Sequence, residues 1–149
     1  AHRAAQLAGV PTHLGSNGAF GPATAWIALA APIIADNTPD LLPGSMQFGL
    51  SPFGTALAAS DRNSLVLCGF WLECTATFTA LAANAEGIDV AVLMDATPHW
   101  LAETKQPAID RLMQAGVVPM TTAQMIMEWA EGETSTSIRQ QLVSLLSEF

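Results

Sequence analysis

The residues best placed to do chemistry lie between Gly69 and Thr75, in the run Gly-Phe-Trp-Leu-Glu-Cys-Thr. An apolar segment, Ser64 to Cys68, precedes this run and an alanine-rich segment follows it. The pattern reads as a strand, a sharp turn at Gly69 and the head of a helix. A thiol at a helix N-terminus is favoured as thiolate by the dipole and the unpaired N–H groups. The same N–H groups can stabilise the oxyanion of a tetrahedral intermediate. Cys74 is therefore a candidate nucleophile beside the acidic Glu73, and its alternative role is a small buried apolar residue. Thr75 carries a hydroxyl that a dipole alone does not ionise. It serves as a nucleophile only with a positioned base, and otherwise as a helix-capping or pocket-lining group. Cys68, inside the apolar strand, reads as structural.

Aromatic side chains surround this turn in sequence. Phe70 and Trp71 lie within it, Phe48 and Phe53 ahead of it, and Trp100 after the next strand. Phe48, Phe70, Trp71, Glu73 and Trp100 are the expected pocket lining, since small-molecule sites are apolar with few polar groups. The same aromatics would equally suit a subunit interface, where Trp and Phe are enriched. His2, His13 and His99 are scattered without metal-ligand spacing, so no metal is expected. The glycines of Gly15–Gly21 do not join a strand directly to a helix, so neither a phosphate loop nor a dinucleotide fingerprint is present and no cofactor is expected.

The elements that must position the turn alternate between strand and helix. Residues 1–9 have helical spacing and stop at Gly9. Thr12–Ser16 is extended, and the segment to Gly44 reads as loops around one helical piece near Ala23–Ala31. Ser51-Pro52 starts a short helix to Ala59. Ser64–Cys68 is a strand of the kind buried on both faces. The helix Thr75–Glu86 presents Phe78, Leu81, Ala82 and Ala85 on one stripe and stops at Gly87. Asp89–Met94 is a strand, Lys105–Ala115 a helix, and Val117–Met120 a further strand. Thr121 and Gln124 have capping-box spacing for a helix through Trp129, closed by Gly132. Ser137 and Gln140 repeat that spacing ahead of a stripe formed by Ile138, Leu142, Leu145, Leu146 and Phe149. Alternation of this kind predicts an α/β fold with a parallel, doubly wound sheet in three α/β/α layers.

The stretch from Ser64 to Thr122, with Gly69, Glu73, Cys74 and Asp95-Ala96 in order, resembles the isochorismatase-like cysteine hydrolases. That superfamily places its nucleophile in a strand, G-x-x-T-[D/E]-x-C, helix turn. Counted without gaps from Gly87, Asp89 and Asp95-Ala96, Glu73 takes the family's acidic position and Thr75 the nucleophile position. Leu72 replaces the usual Thr. Placing Cys74 at the nucleophile position requires a one-residue shift, which would turn a following helix by about 100°. The resemblance implies two further catalytic groups, an Asp ending a first strand and a Lys ahead of the helix before the nucleophile strand. The chain opens in a helix, so the first strand is expected to be missing and no Asp is assigned. The Lys region corresponds to Leu41–Phe48, with Leu42 where related sequences carry Lys or Arg. Lys105, the only lysine, belongs to a different segment. The resemblance implies either a catalytically degenerate member with a ligand-binding or assembly role, or an active hydrolase of a small amide or carbamoyl compound using Cys74. A purely structural oligomeric module is the third reading.

Composition narrows the partners. Of 149 residues, half are hydrophobic and only 12% are charged, which suits a chain that buries surface against copies of itself. A net charge of −8 with five Lys and Arg argues against nucleic acid and against a polybasic membrane contact. No apolar run approaches the roughly 18 residues of a membrane span. Two cysteines form no disulfide framework, which favours the cytoplasm. Residues 1–132 are expected to form the domain, with 133–149 an amphipathic helix for packing or oligomerisation. A homo-oligomer, tetramer or larger, with a possible small-molecule ligand is the expected state.

Overall fold

The computed structural model describes residues 1–13, 15–16, 40–41, 52–69 and 71–148. In chain order these form α1 (His2–Leu7), β1 (Gly15–Ser16), β2 (Asp40–Leu41), α2 (Pro52–Ala59) and β3 (Ser64–Leu67). A π turn (Leu72–Ala76) then leads into α3 (Thr77–Ala85), β4 (Asp89–Leu93), α4 (Ala102–Gln114), β5 (Val118–Met120) and α5 (Thr122–Gly132). The chain closes with α6 (Thr136–Ser144) and a 3-10 turn (Leu145–Glu148). Phe48, Phe70 and Phe149, and the expected helix at Ala23–Ala31, lie outside the described residues.

β3, β4 and β5 form one parallel sheet in that order, with Ser64 opposite Asp89, Leu67 opposite Val92, and Leu93 opposite Met120. Parallel neighbours cannot be joined by a tight hairpin, so α3 and α4 carry the chain back between strands. β1 and β2 make a separate parallel pair.

Side-chain alternation along β4 explains the layers. Val90 and Val92 point to one face, where they pack with Leu57 of α2, Ala80 and Ala83 of α3, and Ala108 and Leu112 of α4. Leu93 turns to the other face and joins Ala4 of α1, Met125, Ile126 and Ala130 of α5, and Leu142 and Leu145. Helices on both faces of a parallel sheet give the expected three-layer α/β/α arrangement.

Several local expectations are corrected. β3 ends at Leu67, and it is half-buried rather than buried on both faces, because β4 is its sole paired neighbour among the described residues. Cys68 is exposed, not a core residue. The buried residues of α3 are Thr77, Ala80, Ala82 and Ala83, so of the expected stripe Ala82 is buried and Leu81 half-buried, while Phe78 is 44% exposed and Ala85 faces solvent. The small residues face the sheet, which lets the helix approach closely. Phe78 instead lies under the Arg111 guanidinium, 5.3 Å from the ring centroid. α4 begins at Ala102, three residues before the expected Lys105. α6 is capped by Ser135, whose hydroxyl accepts from the Ile138 amide, rather than by Ser137.

The expected capping box at Thr121 and Gln124 is present in both directions. Leu142 and Leu145 are buried, with Ile138 and Leu146 packed beside them. Among the described residues no helix is long and apolar enough to cross a membrane.

Candidate functional site

The turn after β3 sits at the carboxyl end of the parallel strands, where open α/β sheets place their sites. Gly69 has φ +130°, a conformation that L side chains rarely adopt, and this explains a glycine directly after the strand. Its amide donates to the Ala96 carbonyl at 3.0 Å, and the Leu72 amide donates to Pro98 at 2.9 Å. These two bonds tie the turn to the loop that follows β4. Trp71 is extended, and the chain then enters a π turn in which the Ala76 amide reaches back to the Trp71 carbonyl at 3.2 Å. The Thr77 hydroxyl donates to the Leu72 carbonyl and closes the turn from inside.

A π turn holds one more residue than an α turn and is frequent at functional sites. Cys74 and Thr75 both lie in that turn and both are half-buried. Cys68 and Cys74 are free thiols. Loss of hydration holds the Cys68 thiol above its ordinary value, with the N-terminal charge opposing the rise and the Asp95 carboxylate adding to it.

Glu73 is the most heavily bonded side chain of the turn. One carboxylate oxygen accepts from the Trp100 amide at 2.7 Å, from the Leu101 amide at 3.2 Å and from the Thr104 hydroxyl. Leu101 is the N-cap of α4 and supplies no side-chain acceptor, so Glu73 caps that helix from a distant element. Burial raises the Glu73 pKa, but the bonds from Thr104 and from the Glu73, Leu101 and Trp100 amides outweigh it and hold it below the usual glutamate value. The other carboxylate oxygen, Oε2, is buried without a hydrogen-bond partner.

Asp95, just after β4, plays the same part for α5. Its carboxylate accepts from the Thr122 amide at 2.9 and 3.1 Å and from the Thr122 hydroxyl at 3.0 Å. Glu73 in the π turn and Asp95 after β4 are thus both engaged with helix N-termini, where negative charge is favoured.

The Trp71 and Trp100 rings meet at 5.8 Å between centroids and 36° between planes. Three members of the expected pocket set, Trp71, Glu73 and Trp100, are therefore brought together. Phe48 and Phe70 lie outside the described residues. Lys105 is exposed on α4. Among the described residues no three His, Cys, Asp or Glu side chains cluster as metal ligands.

Sequence reasoning missed Thr97, Thr104 and Thr122. Thr97 is 1% exposed, and its hydroxyl has no hydrogen-bond partner. The one available signal for Thr104 was negative, a helix start at Leu101 with no local capping side chain.

A three-layer α/β fold with a strand, glycine turn and acid-bearing helix head defines the isochorismatase class. The isochorismatase domain model matches residues 47–124, and the chain belongs to that family. The probable hydrolase YcaC of Escherichia coli K12 is 39% identical over 69 residues, which cover 46% of this chain and 33% of that protein. The matched region thus spans about a third of that relative's length. The E. coli YcaC structure, described as an octameric hydrolase of unknown specificity, aligns with a TM-score of 0.64 at 25% identity, covering 98% of this chain and 78% of the other. YcaC from Pseudomonas aeruginosa, solved with hexane-2,5-diol and covalent acrylamide, aligns with a TM-score of 0.67 at 23% identity. That alignment covers 79% of this chain and 59% of the relative.

Proposed function

We propose that this chain is a catalytically degenerate isochorismatase-family protein that binds a small ligand at the β3 turn and assembles into a cytoplasmic homo-oligomer. The observation that carries this reading is the identity of the residues at the family's chemical positions. Leu72 replaces the usual Thr of the family turn, and Leu42 stands where related sequences carry Lys or Arg. Thr75 stands at the family's nucleophile position in the ungapped register, and its hydroxyl would need a positioned base. Assembly is supported by the low charge of the chain and by the octameric E. coli relative. The C-terminal helix is the proposed assembly element.

A second reading is favoured by the π turn. If the extra residue of that turn brings Cys74 to the nucleophile position, the protein is a cysteine hydrolase of a small amide or carbamoyl compound. Iodoacetamide labelling at neutral pH, mapped by peptide, separates the two, because a thiolate alkylates far faster than a neutral thiol. The degenerate reading expects no preferential labelling of Cys74 over Cys68, no hydrolysis of nicotinamide-like or carbamoyl substrates, and no rescue by Thr75→Cys. Rapid selective alkylation of Cys74 together with hydrolysis would establish the cysteine-hydrolase reading instead. Sedimentation at micromolar concentration tests the assembly, and a monodisperse monomer would overturn it.

A further inference from the structure

We infer that α5 and α6 present a self-complementary face on which a second copy of this chain docks about a two-fold axis, giving a packing of four helices. The inference rests on the assembly reading above and names the surface and its partner. Both helices carry apolar side chains that the core does not use. Ile126 and Leu142 are fully buried, whereas their neighbours Met127 and Val143 are 42% and 43% exposed. Met127 and Val143 line one groove with Ala130, Glu131 and Arg139. Met127 and Glu131 stand four residues apart on α5, and Arg139 and Val143 four apart on α6, so each pair shares one face of its helix. Arg139 bonds back to Ala130 and Val143 lies across from Met127, so the two helices run antiparallel. The charged pair sits at the end near the connecting loop, and the apolar pair sits farther along.

The charged end has a fixed geometry. Arg139 Nε donates to the Ala130 carbonyl at 3.1 Å and its Nη2 to the Glu133 carbonyl at 2.6 Å. These bonds seat the guanidinium on the carbonyls that end α5, and neither uses Nη1. Among the described residues Glu131 makes no ion pair or hydrogen bond. A two-fold axis in the plane of this face and parallel to the helices lays α5 of one copy over α6 of the other. It sets Met127 against the second copy's Val143, and Glu131 against the second copy's Arg139, twice over. In an isologous contact each residue must suit the one its symmetry mate presents. Here apolar meets apolar and acid meets base at both levels, with the overlaid helices antiparallel as in a four-helix bundle. A different partner would have to supply that same order of charges and apolar groups, so the face itself specifies a second copy.

Sedimentation of the intact chain at micromolar concentration reads the assembly. Met127→Lys and Val143→Glu each set a charge against an apolar side chain of the second copy. Each variant alone should associate at least about tenfold more weakly and sediment at half the assembled mass or less. Both side chains are exposed in the separate chain, so circular dichroism should show each variant folded as the unaltered chain is. Mixed in equal amounts, the two variants should regain the assembled mass. The new ammonium of one then faces the new carboxylate of the other, and the second Met127–Val143 contact is unaltered. Glu131→Lys changes a side chain outside the core and sets like charges opposite Arg139. It should weaken association most at low salt, and it decides the matter if either apolar-site variant fails to fold.

A monodisperse monomer of the unaltered chain overturns the assembly reading and this inference together. Full assembly by both single variants and by Glu131→Lys overturns the inference alone and leaves assembly to another face. Dissociation of the single variants with no recovery on mixing overturns the reciprocal pairing, and with it the two-fold docking.

Discussion

The Asp95 carboxylate accepts both the backbone amide and the hydroxyl of Thr122, at 2.9 and 3.0 Å. The end of β4 is thereby fastened to the first residue of α5, across 27 positions of sequence. Two carboxylates at the carboxyl edge of the sheet, Asp95 and Glu73, thus act as remote acceptors for helix N-termini. Asp95→Ala should destabilise the fold by about 1–2 kcal/mol, the range of a lost N-terminal acceptor. Chemical denaturation at neutral pH measures this, with Asp95→Asn expected to lose less because its side-chain oxygen still accepts.

The cap of α6 offers a sharper contrast. Ser135 accepts from the Ile138 amide, whereas Ser137 lies within the helix. Ser135→Ala should cost about 1 kcal/mol, and Ser137→Ala should stay within about 0.5 kcal/mol. Paired urea melts of the two variants check the assignment, and equal losses would contradict it.

Burying Leu142 joins α6 to α1 and α5. Leu142 is fully buried beside Met125, Ile126, Ala130 and Ala4. Leu142→Ala should lower stability by about 2–5 kcal/mol, through lost transfer energy and a residual cavity. Val143→Ala one position on, where the side chain is exposed, should stay within about 0.5 kcal/mol.

Glu73 predicts an acid dependence whose sign is fixed by its lowered pKa. The folded state holds the carboxylate ionised, so its contribution is fully present above the unfolded glutamate value of about 4.3. That contribution is lost as pH falls through the lower folded value. Amide exchange at Trp100 and Leu101, corrected for intrinsic rates, should stay slow at pH 6 and accelerate in acid below the usual glutamate range. In Glu73→Gln this acid step should disappear.

Much of the fold was legible because it rests on local signals. Alternation of apolar strands with amphipathic segments announced a parallel sheet covered by helices. The Thr121–Gln124 box was readable because its two partners lie three residues apart. The stripe Leu142, Leu145 and Leu146 follows helical spacing on a helix whose neighbours lie on one side. The glycine after β3 and the acid at Glu73 marked the turn by residue type alone.

What the sequence could not decide depended on contacts between distant segments. The start of α4 at Ala102 is set by Glu73, which lies 28 residues before its N-cap, so no local pattern marks it. The burial of Thr77, Ala80 and Ala83 in α3, with Phe78 left outside, depends on which face the helix turns to β4 and α4 and not on the apolar residues of its own sequence. The pairing of Trp71 with Trp100 required the loops after two adjacent strands to meet. Composition and spacing determined which residues could build a site, while the parallel register of β3 and β4 decided which of them touch. That division is physical, since helix caps and apolar stripes are satisfied within a few residues, whereas remote caps and ring contacts exist only once the sheet has closed.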